Sequence, residues 1–359
     1  MLNKQTLIIV GSNSVHTLRY INTISPYFDT IIFITNNSAN LNLPSNTIAY
    51  NVNFKLINLK ARTQICNIIK KHYKKTTIVH IHQANSYAMH TLMAIKKSKL
   101  PIKTILTTWG SDILLLPYKN KLFYRLAKFY LANADIITSD SFYMSYCIKQ
   151  IQPKVKSVFT INFGVQNLPE MISITNKENI ILSNRIHKKL YNIDKIIIAY
   201  NNLIKESQYA DYKLIIAGDG IENTNLRKLA KKYHLENKIK FTGMLKYEEL
   251  VNLYMKAKLF ISIPSSDSTS LSLLEAMSYG CYPIVSNLPA NNEWVINKFN
   301  GLICENTEML DKLIIEAVKT VTNLTEYEKI SLFNNSLIKQ KASPQNNISQ
   351  FIDLYKSLI

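Results

Sequence analysis

The sequence predicts an α/β protein built from two doubly wound parallel-sheet domains that face a cleft. Three observations carry this. At 359 residues the chain is longer than one hydrophobic core usually supports. Short β-branched runs alternate with amphipathic stretches from end to end, the pattern of parallel strands joined by crossover helices. The alternation breaks once, at Asn162-Phe-Gly-Val-Gln-Asn-Leu-Pro169, where Gly and Pro mark a domain boundary.

In the first domain, residues 1–165, strands are expected at Thr6–Val10, Thr30–Thr35, Thr77–His82, Lys103–Thr108, Asp135–Ser139 and Ser157–Asn162. In the second, residues 166–343, they are expected at Asn179–Ser183, Tyr212–Ala217, Ile239–Thr242, Leu259–Ile263 and Tyr282–Val285, with helices between. The tail, residues 344–359, reads as one amphipathic helix over Ile348–Ile359 that packs back on the first domain. Ligands of such sheets bind beyond the carboxyl ends of the strands, so the cleft is the expected site.

Composition narrows the setting. No run of about 18 apolar residues predicts a membrane span, and the opening MLNKQTLIIVGSNS has neither a basic n-region nor a cleavage site, so a cytoplasmic chain is expected. Cys66, Cys147, Cys281 and Cys304 are scattered without metal-ligand spacing and read as reduced structural thiols. Charge is lopsided: residues 1–165 hold 20 Lys and Arg against 4 Asp and Glu, net +16, while residues 166–359 hold 23 against 20. Basic clusters at Lys70–Lys75 and Lys96–Lys99, and the segment Lys119–Tyr130 that interleaves cations with aromatics, suit an anionic lipid headgroup layer. That places the protein peripherally at the inner face of the cell membrane. Solubility alone is the other reading of the charge. No nucleic-acid motif is visible, and no such partner is expected.

The densest chemistry lies in Ser265-Ser-Asp-Ser-Thr-Ser-Leu-Ser-Leu-Leu-Glu-Ala-Met-Ser-Tyr-Gly280, just past an expected strand and opening a helix. Ser and Thr are N-cap residues, and the N–H groups of a helix start bind an anion such as a diphosphate. Asp267 precedes the helix and Glu275 falls about a turn inside it, so two carboxylates border the anion site. The alternative is a plain capped helix, with Asp267 as its cap and Glu275 on the surface.

This stretch resembles the signature of the retaining GT-B glycosyltransferases, in particular family four, whose motif is Glu, seven residues, Glu; Asp267 and Glu275 stand at those positions. The likeness covers nearly the whole chain and is specific as an ordered set. Ser183-Asn-Arg185, Ala217-Gly-Asp-Gly220, Phe241-Thr-Gly243 and Ser286-Asn-Leu-Pro289…Glu293…Asn300-Gly-Leu302 follow the family's order, as do Gly11-Ser-Asn-Ser-Val-His16, Thr107-Thr-Trp-Gly-Ser-Asp112 and Ile161-Asn-Phe-Gly164.

The resemblance implies two Rossmann-like domains and transfer of a hexose or N-acetylhexosamine from a UDP- or GDP-sugar, in the manner of members that build surface polysaccharides, and the basic first half points to a lipid-linked glycan as the acceptor. It implies no cofactor and no metal, and the chain has no Asp-x-Asp of the kind that places a divalent ion on a diphosphate. By the same resemblance Arg185 and Lys189 meet the diphosphate, Glu275 the ribose and Asp267 the transferred sugar. Thr269, Ser270 and Leu271 offer backbone N–H groups to phosphate, and Gly218 and Gly220 let the chain pass close to the nucleotide. His16, Asp112 and His82 face the acceptor. Three departures stand out. Asp267 is one methylene shorter than the family's Glu. Lys188, Lys189 or Tyr191 stands where the family has a Lys beyond the arginine. Trp109 replaces a frequent His, leaving Asp112 as the candidate substitute. These departures sustain a rival reading, a non-catalytic subunit of the same fold; a nucleotide-sugar epimerase or hydrolase is the other. Of the remaining histidines, His80 reads as structural, and His72, His90, His187 and His234 as lying on polar or helical faces.

Overall fold

The computed structural model describes residues 2–39 and 41–359, and the chain forms two compact units, Met1–Phe163 with Gln345–Ile359, and Gly164–Pro344. Among the described residues the first unit runs β1 (Leu2–Val10), α1 (Val15–Ile24), β2 (Phe28–Thr35), β3 (Thr47–Asn51), α2 (Lys60–His72), β4 (Ile78–His82), α3 (Ser86–Ser98), β5 (Lys103–Thr107), α4 (Ser111–Leu114), α5 (Lys121–Asn133), β6 (Ile136–Ser139), α6 (Phe142–Ile151) and β7 (Val158–Thr160). The second runs β8 (Glu178–Asn184), α7 (Ile193–Leu203), β9 (Lys213–Ala217), α8 (Asn223–Lys232), β10 (Ile239–Gly243), α9 (Tyr247–Lys256), β11 (Ala257–Ser262), α10 (Leu271–Ser278), β12 (Tyr282–Ser286), β13 (Leu302–Cys304), α11 (Leu310–Thr322) and α12 (Leu324–Ala342). The last helix, α13 (Pro344–Ser357), belongs to the first unit. It begins four residues earlier and ends two earlier than the sequence suggests, because Pro344 suits a first helical turn.

Every strand pair is parallel, in the orders β3-β2-β1-β4-β5-β6-β7 and β10-β9-β8-β11-β12-β13. The strand order therefore reverses between β1 and β4 in one unit and between β8 and β11 in the other, the two places where doubly wound sheets bind ligands. Two edge strands, β3 and β13, escape the sequence reading. The first is half exposed along its length and the second is three residues long, so neither shows an apolar run.

Alternate residues of β1 serve opposite faces: Ile8 and Val10 pack under α2, α3, α5 and α6, while Leu7 and Ile9 join a core closed by α1 and α13. A buried polar triangle seats α13 there. The Tyr355 hydroxyl lies 2.5 Å from His80 Nδ1 and 2.7 Å from the Tyr20 hydroxyl, and His80 Nε2 lies 2.6 Å from Thr107 Oγ1. His80 is thus a structural hydrogen-bonding residue. In the second unit α12 hides its amphipathic pattern because polar residues face inward. Asn334 exchanges hydrogen bonds with Asn300, and Asn335 Nδ2 donates to the Ser278 carbonyl. His90 and His187, expected on polar or helical faces, are both buried, His90 within α3 and His187 in the turn after β8.

The start of α10 decides one open question. The cap is Ser270, whose hydroxyl accepts from Leu273 N–H, and Asp267 lies three residues upstream with its Oδ1 accepting from Ser268 N–H at 3.1 Å. Glu275 is 6% exposed. The plain capped helix with Asp267 as cap and a surface Glu275 is therefore incorrect. Ser270→Ala should cost about 1 kcal/mol in urea unfolding, the usual value of a lost N-cap. No loss of stability in Ser270→Ala would contradict the assignment of the cap.

Candidate functional site

The second unit gathers its chemical residues at the strand-order reversal. Arg185 follows directly on β8, and the segment Asp267–Ser270 lies between β11 and α10, which opens at Leu271. The guanidinium bonds Asp267 Oδ2 at 2.5 Å, donates to the Ser270 hydroxyl, reaches the Ser272 hydroxyl at 3.4 Å and lies over the Tyr191 ring, 4.3 Å from its centroid. The Arg185 and Asp267 side chains keep only 11% and 21% of their surface exposed. A charge so tethered is held in one orientation, with the rest of its fork of N–H donors available to an incoming anion. Tyr191 thus supports the arginine from beneath and adds no second cation. Lys189 is exposed in a short turn and, with Lys188, Asn192 and Glu222, lines a cavity of about 510 Å³ between α7 and α8.

The glycines act on the same arginine. Gly218, at φ +118°, and Gly220, at +158°, bring the turn after β9 against the Arg185–His187 backbone. A Cβ on Gly218 would run into the Arg185 carbonyl oxygen, and one on Gly220 would lie 2.5 Å from that of His187. Backbone bonds lock the two turns, from His187 N–H to the Asp219 carbonyl and from Glu222 N–H to the His187 carbonyl. The close approach these glycines make in the structure is to protein backbone.

At the start of α10, Thr269 and Ser270 are buried and Leu271 is half-buried, and the first N–H groups of the helix point out of its end. Glu275, one turn in, accepts a hydrogen bond from the Tyr254 hydroxyl at 3.2 Å, and Asn184 Nδ2 donates to that hydroxyl at 3.0 Å. Sequence reasoning missed both. Tyr254 lies 21 residues before Glu275 on α9, and nothing local signals that its ring crosses to α10.

The first unit gathers a second set at its own reversal. His16 is exposed in the first turn of α1, edge-on to Trp109 at 5.6 Å, and Trp109 is edge-on to the fully buried His82 at 5.9 Å. Burial pushes the His82 imidazole down to about 3, so it stays neutral at physiological pH. Neither its ring nitrogens nor Trp109 Nε1 meets a hydrogen-bond partner among the described residues. Asp112 is buried and committed: Oδ2 accepts from Ala84 N–H at 2.7 Å and Oδ1 from Trp109 N–H at 2.9 Å. Burial lifts its carboxyl above the ordinary value while these N–H groups pull it back. It clamps the turn after β4 to the turn after β5 and so positions Trp109.

Both halves of the chain match known protein families. Residues 166–330 match the family described as glycosyl transferases group 1, and residues 6–141 match glycosyl transferase 4-like. N-acetyl-alpha-D-glucosaminyl L-malate synthase of Bacillus anthracis is 25% identical over 238 residues, covering 64% of this chain and 61% of the relative. Alpha-monoglucosyldiacylglycerol synthase of Streptococcus pneumoniae is 27% identical over 165 residues, 45% of this chain and 37% of the relative. The matched segment thus spans less than two thirds of either relative's length. The structure of Anabaena HepE in complex with UDP and glucose superposes with a TM-score of 0.80 at 13% identity, covering 98% of this chain and 99% of that one. With two parallel sheets, an arginine at the second reversal and an acid pair eight residues apart, the chain belongs to the GT-B glycosyltransferases of the family-four type.

Proposed function

We propose that the protein is a retaining, metal-independent glycosyltransferase that moves a hexose or N-acetylhexosamine from UDP to a lipid-linked glycan in surface-polysaccharide synthesis. The observation that carries this reading is the Arg185 guanidinium held beside Asp267 and the start of α10. Departure of the nucleotide places negative charge on the diphosphate. Arg185 and the N–H groups of Thr269, Ser270 and Leu271 stabilise that charge as it develops, the role a divalent ion fills elsewhere. Glu275 holds the ribose, Asp267 faces the transferred sugar, and Lys189 flanks the nucleotide. UDP is favoured over GDP because HepE, of the same fold, was solved with UDP and with UDP-glucose. His16 and Trp109, over His82, receive the acceptor.

The lipid-linked acceptor is supported by the surface of the first unit and by the likeness to a synthase named for a diacylglycerol product. Tyr118, Leu122, Phe142 and Tyr146 are exposed on or beside α5 and α6, together with Lys119, Lys121, Lys128 and Lys149. Cations near an anionic leaflet contribute about 1 kcal/mol each, and exposed aromatics settle at the headgroup level. No helix among the described residues is long and apolar enough to cross a membrane, so attachment through this face is peripheral, at the inner side of the cell membrane. Sedimentation with liposomes should show binding that requires anionic lipid and fades between 0.1 M and 1 M salt, as the Debye length falls from about 10 Å to about 3 Å. Equal binding to neutral liposomes would contradict the assignment.

The two acids should separate kinetically. A ribose contact is present in ground and transition states alike, so Glu275→Gln should raise donor KM, by the 1.5–3 kcal/mol of roughly one charge-assisted hydrogen bond. Asp267 lies beside the centre where positive charge develops, so Asp267→Asn should lower kcat about 10²-fold. Measured in EDTA with UDP-sugars, full activity of Asp267→Asn, or complete dependence of the wild type on Mg²⁺ or Mn²⁺, would refute this mechanism.

A further inference from the structure

We infer that Tyr254 is a positioning residue for nucleotide recognition, acting on the ribose through Glu275 and set in turn by Asn184. The inference rests on the reading of Glu275 as the ribose-binding carboxylate and adds a residue that lies outside the segments of resemblance named above.

Tyr254 is fully buried on α9, yet its hydroxyl ties together two parts of the site. It donates to Glu275 Oε2 and accepts from the side chain of Asn184, the residue immediately before Arg185. The ring has little freedom to do otherwise. It stacks on Tyr279, 6.1 Å between centroids with planes 14° apart, and the Tyr279 hydroxyl donates to the Asn167 carbonyl. Phe260 meets it edge-on at 6.3 Å.

The backbone at Tyr254 is pinned as well. Lys177, itself buried, drives its ammonium into the junction of α9 and β11 and donates to the carbonyl oxygens of Tyr254 and Ala257, at 2.8 Å each. A lysine at the carboxyl end of a helix satisfies carbonyls that no helical N–H reaches. Burial, and next the neighbouring Glu275 charge, hold the Tyr254 hydroxyl protonated at any physiological pH, so it can only donate to the carboxylate.

A carboxylate in a largely buried pocket must have its charge met by hydrogen bonds, and the direction of those bonds fixes which lone pairs remain for a ligand. With Tyr254 donating to Oε2 at 3.2 Å, one hydrogen bond of the carboxylate is fixed in direction, and with it the orientation that Glu275 presents to ribose hydroxyls. Removing the tyrosine hydroxyl takes away one donor that sets the Glu275 carboxylate and leaves the Arg185 side of the site untouched. The consequence falls on ribose recognition and spares the diphosphate contacts.

Calorimetric titration of the full chain with UDP and with 2′,3′-dideoxy-UDP tests this, with GDP and its dideoxy form as the parallel pair. Wild type should bind the ribonucleotide more tightly, and Glu275→Gln should abolish that preference. Tyr254→Phe should weaken UDP by about threefold to tenfold, the equivalent of one hydrogen bond, and leave dideoxy-UDP within about twofold. Asn184→Ala, at a half-buried position, should shift the preference in the same direction and guards against a Tyr254 variant that fails to fold. In turnover assays the Tyr254→Phe loss should appear in donor KM. Equal weakening of both nucleotides would make Tyr254 merely structural and overturn the inference. A ribose preference lost in Glu275→Gln but intact in Tyr254→Phe and Asn184→Ala would overturn it while leaving the proposed function standing. If wild type binds neither diphosphate, the proposed function fails and the inference with it.

Discussion

One cation's orientation underlies the second unit's chemistry. Arg185 leaves the end of β8 where the strand order reverses, and everything around it restrains the guanidinium: Asp267 and two serine hydroxyls along one side, the Tyr191 ring beneath, and a glycine turn pressed to its own carbonyl. The arrangement is not mainly a source of stability. Ion pairs with some solvent access contribute little on balance, and burying them brings a desolvation cost that offsets the attraction. What the restraint supplies is pre-organisation, because a donor already aimed at the position of developing charge needs no rearrangement during reaction.

Asp267 fits this picture in two ways. At rest its carboxylate balances the Arg185 charge, so an arriving diphosphate meets a site whose attraction comes from the spare guanidinium donors and the start of α10. In the proposed reaction the same carboxylate lies near the sugar, where a shorter acid held by Arg185 and Ser268 N–H has a fixed reach. The departure from the family's longer acid is thus accompanied by tethering of both carboxylate oxygens. Tyr254 does for Glu275 what Arg185 does for Asp267, and Asn184 and Arg185, adjacent in sequence, steady one acid each.

Much of this was legible in the sequence because the information is local. The alternation of strand and helix patterns, the serine-rich helix start and the spacing of Asp267 and Glu275 all lie in short windows, and each element they predict is present. What escaped was non-local or pattern-poor. Strand β3 is too exposed to show an apolar run, and α12 turns Asn334 and Asn335 inward, so its periodicity fails. Burial of His187 depends on Gly218 and Gly220 folding the next loop against its backbone. The Tyr254–Glu275 bond joins residues on different helices. Asp112 was legible as a motif residue, but only the structure shows both its oxygens committed to backbone N–H groups, which makes Trp109 and His16 the groups that line the surface there.

The central claim is that Arg185, as held here, recognises a diphosphate. Calorimetry of UDP against UMP, on wild type and on Arg185→Gln, measures this most directly, since the two ligands differ only in the second phosphate. The account predicts that the second phosphate improves wild-type affinity at least tenfold, about 1.4 kcal/mol, and that the ratio collapses toward one in Arg185→Gln. An unchanged ratio in the variant would contradict it, leaving Arg185 as a partner of Asp267 and nothing more.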